Sequence, residues 1–156
     1  MPRAERSSRG GRGAEHAVGF ALHLELRPGL PLAECRKLER RLEDYAEAQD
    51  LHIEGTQLQH VVSAPGRPVG VGDQVALLDW LVDQAGVVAV RLGPIGTLQS
   101  LHDADGAAGQ GDAAFIHVHT VDVALMGVTL LYRCARITPT LYLQILGGYV
   151  RPAHLH

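Results

Sequence analysis

Aromatic side chains are scarce in this chain: one Trp, four Tyr and two Phe among 156 residues. Its core therefore has to be aliphatic, and an apolar content of 46% is enough to build one. Cysteine is also scarce. Cys35 and Cys134 are too few for a disulfide scaffold, Cys35 falls at a buried helix position, and reduced cytoplasmic thiols fit this usage best. No apolar run approaches the roughly 18 residues of a membrane span. The longest, Val123–Leu131, is interrupted by Gly127 and Thr129. The N-terminal MPRAERSSRGGRG has no apolar h-region, so it does not read as a secretory signal. Positive charge is not in excess either: a net charge of −3 excludes a wholly basic nucleic-acid binder but leaves room for local basic patches.

What is present is an order of patterned segments. Residues 17–26 alternate, with Val18, Phe20, Leu22, Leu24 and Leu26 on one side and Gly19, Ala21, His23 and Glu25 on the other, as in a half-exposed strand. Arg27-Pro28-Gly29 ends that strand, and Pro31 suits a first helical turn. Residues 31–49 carry a helical stripe of Leu32, Cys35, Leu38, Leu42, Tyr45 and Ala46 that breaks near Gln49-Asp50. Strand-like runs at 50–54 and 57–63 flank Gly55, which predicts a tight hairpin turn there. Residues 64–72 form a loop by their prolines and glycines. Asp73 then reads as the N-cap of a second helix over 73–85, with Gly86 as its stop and 87–92 as a β-branched strand.

Two strand-helix-strand units in tandem predict an α+β domain of the ferredoxin-like β-α-β-β-α-β type, with both helices on one face of a four-stranded antiparallel sheet. Residues 1–16, rich in Arg, Ser and Gly, are expected to be a disordered arm, and residues 17–98 the domain. Residues 99–156 are expected to be a linker, centred on 103–112, and a C-terminal extension. Residues 113–151 are apolar and lack Glu and Lys, with strand character at 115–123 and 140–146. About forty residues without disulfides rarely sustain their own core, so the extension either adds strands to the sheet or stays poorly ordered.

Particular residues extend this pattern to a known family. Gly19-Phe20 opens the first strand, and Pro28-Gly29 precedes a charged amphipathic helix. Leu51-His52-Ile53-Glu54-Gly55, Asp79-Trp80-Leu81 and Val90-Arg91-Leu92-Gly93-Pro94 follow in order. Over residues 19–98 the chain resembles the YggL-like family of small bacterial proteins associated with the large ribosomal subunit. The Arg-bearing arm ahead of Gly19 is similar to that family's basic N-terminus. The resemblance implies a bacterial, ribosome-associated protein.

The candidate sites are sparse. Arg3, Arg6, Arg9 and Arg12 recur along the arm, and Arg36, Lys37, Arg40 and Arg41 lie on the first helix. Planar guanidinium groups suit RNA phosphate, and such binding is salt-sensitive. On the same helix, however, Glu34, Glu39, Glu43, Asp44 and Glu47 nearly neutralise the basic residues. His117 and His119, two apart on a strand, share a face and make two possible metal ligands. Asp122 or the pair His154 and His156 would have to complete a site, and no third ligand is set by spacing, so no metal or other cofactor is expected. Trp80, off the inner helix stripe, is a candidate partner contact. The loop Gly66–Gly72 lacks the Lys-Ser/Thr pair of a phosphate loop. No nucleophile elbow is present, and neither cysteine sits in a catalytic motif. The expectation is a non-catalytic RNA- or ribosome-associated protein outside the membrane. The alternative is an oligomerisation or small-ligand regulatory domain that self-associates through its sheet edges.

Overall fold

Strand β1, Val18–Leu26, is the centre of the architecture, paired antiparallel with β3 on one side and β4 on the other. The structure, a computed structural model, describes residues 17–56, 59–105 and 115–150. Helix α1 (Leu32–Ala48) leads to β2 (His52–Thr56) and β3 (Gln59–Ser63). Helix α2 (Val71–Leu81) leads to β4 (Val87–Leu92). There follow β5 (Gly96–Thr97), α3 (Leu98–Asp105), β6 (Ile116–His119), α4 (Val123–Arg133) and α5 (Pro139–Val150). The protein is thus α+β with an open antiparallel sheet. Its strands run β2-β3-β1-β4-β6, and β5 pairs with the start of β1.

Alternation along β1 sorts the two faces. Phe20, Leu22 and Leu24 enter a buried cluster with Leu38, Leu42 and Ala46 of α1 and Val75, Leu77, Leu78 and Leu81 of α2. Each Leu, Val or Phe among them, withdrawn from water, contributes about 1.5–3 kcal/mol. Of the stripe expected on α1, Leu38, Leu42 and Ala46 are buried, Cys35 and Tyr45 are only half-buried, and Leu32, in the first turn, is 60% exposed. The end of the helix is set by Asp50, whose φ of 57° lets Leu51 N donate to Ala46 O at 2.8 Å. The expected strand on 17–26 is present but is not half-exposed throughout. Gly19 and Ala21 are buried on the second face, where Leu98 closes over Gly19.

Local expectations fail where a different hydrogen bond wins. Asp73 is not the N-cap of α2, which begins at Val71 after Gly70 and ends at Leu81. Asp73 sits three residues inside and accepts from Gly70 N at 2.9 Å, while both its oxygens take 2.9 Å bonds from Arg67. Gly55 lies within β2, paired with His60, instead of at the turn. Its φ of 140° and the position of Gln59 O, 2.1 Å from where a Cβ would stand, reserve the site for glycine. Residues 57 and 58, which join the strands, lie outside the described residues.

The largest departures are C-terminal. Strand character at 115–123 survives only as Ile116–His119, and Asp122 then caps α4 by accepting from Ala124 N at 2.8 Å. Residues 140–146 are helical, not extended. Tyr142, Leu143 and Leu146 are buried at helical spacing, and Thr138 Oγ1 accepts from Leu141 N at 3.1 Å just ahead of the first turn, where Pro139 sits. Residues 98–105, partly inside the expected linker, form α3. The extension does add a strand, β6, but its helices also feed the core: Val118, Leu125, Tyr142, Leu143 and Leu146 belong to the same buried cluster as β1. A 2.8 Å bond between Thr129 and the Tyr142 hydroxyl joins α4 to α5 inside that cluster. Arg133 ties α4 to Asp79 of α2 and to Asp83 in the turn after it, each at 2.7 Å.

Candidate binding face of the sheet

The second face of the sheet gathers the chemistry. Register places Gln59, His23, Arg91 and His117 in one row across β3, β1, β4 and β6. Glu25, Ala89 and His119 form the next row. The same alternation that buries Phe20, Leu22 and Leu24 points these residues the other way. Helix α3 covers only the Gly19 end, where Leu101 lines a shallow cleft with Ala21, His23 and Val61.

Phe115, just ahead of β6, lies across this face. Its ring centroid is 5.2 Å from that of His23, and the Arg91 guanidinium carbon stands 5.3 Å over it. Gly93 permits this approach, since a Cβ there would meet the Phe115 ring at 3.1 Å. The rings of His117 and His119 are 4.7 Å apart, tilted by 37°. His23, Arg91, Phe115 and His117 are all half-buried, and His119 is exposed.

Electrostatics within the cluster are uneven. Burial holds the His117 imidazole below its usual titration range, neighbouring His119 and Arg91 push it the same way, and Glu25 opposes them. Its Nε2 is buried with no hydrogen-bond partner among the described residues. His117 is accordingly a neutral imidazole at pH 7. As for a metal, Asp122 is engaged as the cap of α4, and no group of three or more His, Cys, Asp or Glu among the described residues is arranged to hold an ion. His154 and His156 lie outside the described residues.

The residues singled out from sequence are distributed differently. Arg3, Arg6, Arg9 and Arg12 lie outside the described residues. Arg36, Lys37, Arg40 and Arg41 are exposed on α1, opposite its buried Leu38 and Leu42 stripe, and Lys37 contacts Glu34 at 3.4 Å. They thus stand on the helical side of the sheet, away from Phe115 and Arg91. Trp80 is half-buried and stacks on Tyr45 with ring centroids 5.1 Å apart, while the Tyr45 hydroxyl donates to Ala76 O at 3.1 Å. The loop before α2 is closed to an added anion by its own chemistry. Arg67 and the Asp73 carboxylate neutralise each other at the helix start, and Arg67 also donates to Gln49 O at 3.2 Å. His23, Arg91 and Phe115 carry no local signature as a site, because each is a lone residue in sequence and only cross-strand register assembles them. The available signals were the odd-numbered phase of His23 in β1 and the placement of one of two Phe outside the apolar stripes.

Among the described residues no helix is long and apolar enough to cross a membrane. No protein-family model matches the chain, and no curated protein or solved structure matches it.

Proposed function

We propose that this protein is a non-catalytic binder of single-stranded RNA or ribonucleoprotein, with the polar face of its sheet as the contact surface. The observation that carries this reading is the Phe115 ring set against Arg91 and His23, with His117 in the same row. Unstacked bases are held in this way by other proteins: flat rings and guanidinium planes offer stacking surfaces, and neighbouring polar groups read base edges. The strand order β2-β3-β1-β4, with a helical crossover between β1 and β2 and another between β3 and β4, supports a ferredoxin-like assignment for residues 17–92, extended at one edge by β6. The large ribosomal subunit is the partner implied by the resemblance over residues 19–98. In this reading the arm residues Arg3, Arg6, Arg9 and Arg12 supply phosphate contacts that the sheet face, with one Arg and one Glu in its central rows, supplies poorly.

Fluorescence anisotropy with a labelled single-stranded RNA, over a salt series, tests the reading. Phe115→Ala is expected to weaken binding by roughly 5- to 150-fold, the range for removing one base-stacking ring. Replacing the four arm arginines with Ala should flatten the salt dependence and leave the melting temperature unchanged. Binding that Phe115→Ala leaves intact would move the site away from the sheet. No binding by the wild-type chain to RNA or to ribosomal subunits, even at low salt, rejects the function.

A further inference from the structure

We propose that two copies of this chain associate edge to edge through β6, with the outer faces of their α4 helices completing the contact. The two edges of the sheet path are built differently. At one end β2 carries a His52–Glu54 pair at 3.1 Å and the positive-φ Gly55, features that blunt an edge. At the other end β6 reads Ile116-His117-Val118-His119, with no proline, lysine or carboxylate, and among the described residues it pairs only with β4. Apart from His119 O, which accepts from Asp122 N at 3.1 Å, its outer backbone groups are therefore a template for another strand.

The helical surface beside that edge is largely apolar. A groove of about 300 Å³ runs between β6 and the helices, with Leu125, Val128 and Ile145 as its apolar wall and His117, His119 and Asp122 as its polar side. Helix α4 is apolar on both sides. Leu125 and Thr129 face inward, while Val123 is 80% exposed, Met126 58% and Leu130 59%. Val121, in the turn that joins β6 to α4, is 79% exposed. A water-facing helix side is normally polar. These side chains, with Leu131 and Leu141, make a patch of the order of several hundred Å², at or above the largest found on most monomers. With the strand edge added, it approaches the roughly 800 Å² per partner of a stable complex.

A second copy fits this surface better than a peptide does. An added peptide strand would satisfy β6 and enter the groove but leave Val123, Met126 and Leu130 in water. A two-fold axis beside β6 brings an antiparallel strand and a second uncharged helix face together, and the surface is its own complement. The outcome is one continuous sheet whose His- and Arg-bearing faces adjoin, which is independent of what those faces bind.

Sedimentation equilibrium of the full chain, in reducing buffer so that exposed Cys134 cannot crosslink, decides it. A monomer–dimer equilibrium in the micromolar range is expected. Met126→Glu, at an exposed position that costs the fold little, should raise the dissociation constant at least about tenfold, because each copy would bury an unpaired carboxylate. His119→Lys, on the edge strand, should weaken association in the same direction. Unchanged circular dichroism and melting of the monomeric variant would confirm that folding is intact. A wild-type chain that stays monomeric to hundreds of micromolar, or a dimer indifferent to both substitutions, overturns the proposal.

Discussion

The two faces of the same sheet follow opposite rules. On one, Phe20, Leu22, Leu24, Val62, Val90, Leu92 and Val118 are buried beneath four helices in a largely apolar layer, with Gln74 and the Thr129–Tyr142 hydroxyl pair as its polar members. On the other, Gln59, His23, Arg91 and His117 form a polar row, partly exposed, with a single aromatic ring laid across it. The first face is specified by volume, so changes there should cost stability. The second is specified by chemistry, so changes there should cost binding. Strand alternation lets both sets share one stretch of chain, and β1 shows the division residue by residue.

The largest expected effect follows from removing residues 106–156. That deletion strips Val118, Leu125, Tyr142, Leu143 and Leu146 from the core face. At about 1.5–3 kcal/mol each, their loss is comparable to the whole stability of a typical domain. The truncated chain is expected to lack a cooperative unfolding transition. A truncated chain that melts like the full one would show that β1–β4 and their two helices are self-sufficient.

Next come single substitutions on opposite faces. Leu42→Ala, in the packed helix layer, should destabilise by about 2–5 kcal/mol through lost burial and the cavity left behind. Gln59→Ala, on the exposed part of the polar face, should stay within about 0.5 kcal/mol. Urea unfolding of both variants measures the contrast directly, and similar losses would dissolve the distinction between faces. Tyr142→Phe tests the polar exception inside the core. It removes the 2.8 Å partner of the buried Thr129 hydroxyl and should cost about 1–3 kcal/mol. Tyr142→Phe combined with Thr129→Val should recover part of that loss, because no hydroxyl is then left without a partner.

How far this division was legible in the sequence depended on periodicity. In Val18–Leu26 and Leu32–Ala48, polar residues at regular intervals mark the solvent side, so strand and helix announce themselves. In Val123–Arg133 and Pro139–Val150 both sides are apolar, the period is lost, and 140–146 reads as strand where the chain is helical. The cap residues Asp122 and Thr138-Pro139 were the surviving signals, and they speak for helix. The polar face was only half legible. The phase of His23 in β1 was visible, and so was the shared face of His117 and His119. Their assembly with Arg91 and Phe115 depends on register across β1, β4 and β6, which no local pattern encodes. Gly55 misled for a related reason: positive φ occurs in a distorted strand as well as in a turn.

The smallest expected effect is a pH dependence that separates the two faces by their titrating groups. His117 is held below the ordinary imidazole value of 6.5 by burial first, then by His119 and Arg91, against the pull of Glu25. Between its folded value and 6.5 the unfolded chain binds more protons than the folded one, so stability rises with pH across that window and is flat on either side of it. Asp73 titrates with the opposite arrangement. Its hydrogen bonds to Arg67 lower its carboxyl below 3.8, so its contribution is complete above that value and is lost as pH falls through the folded value. Urea unfolding from pH 7 downward should therefore show two separate losses, a shallow one below pH 6.5 from His117 and a second in strong acid from the start of α2. His117→Gln should abolish the first and leave the second. A first loss that survives His117→Gln would assign it to a group other than His117.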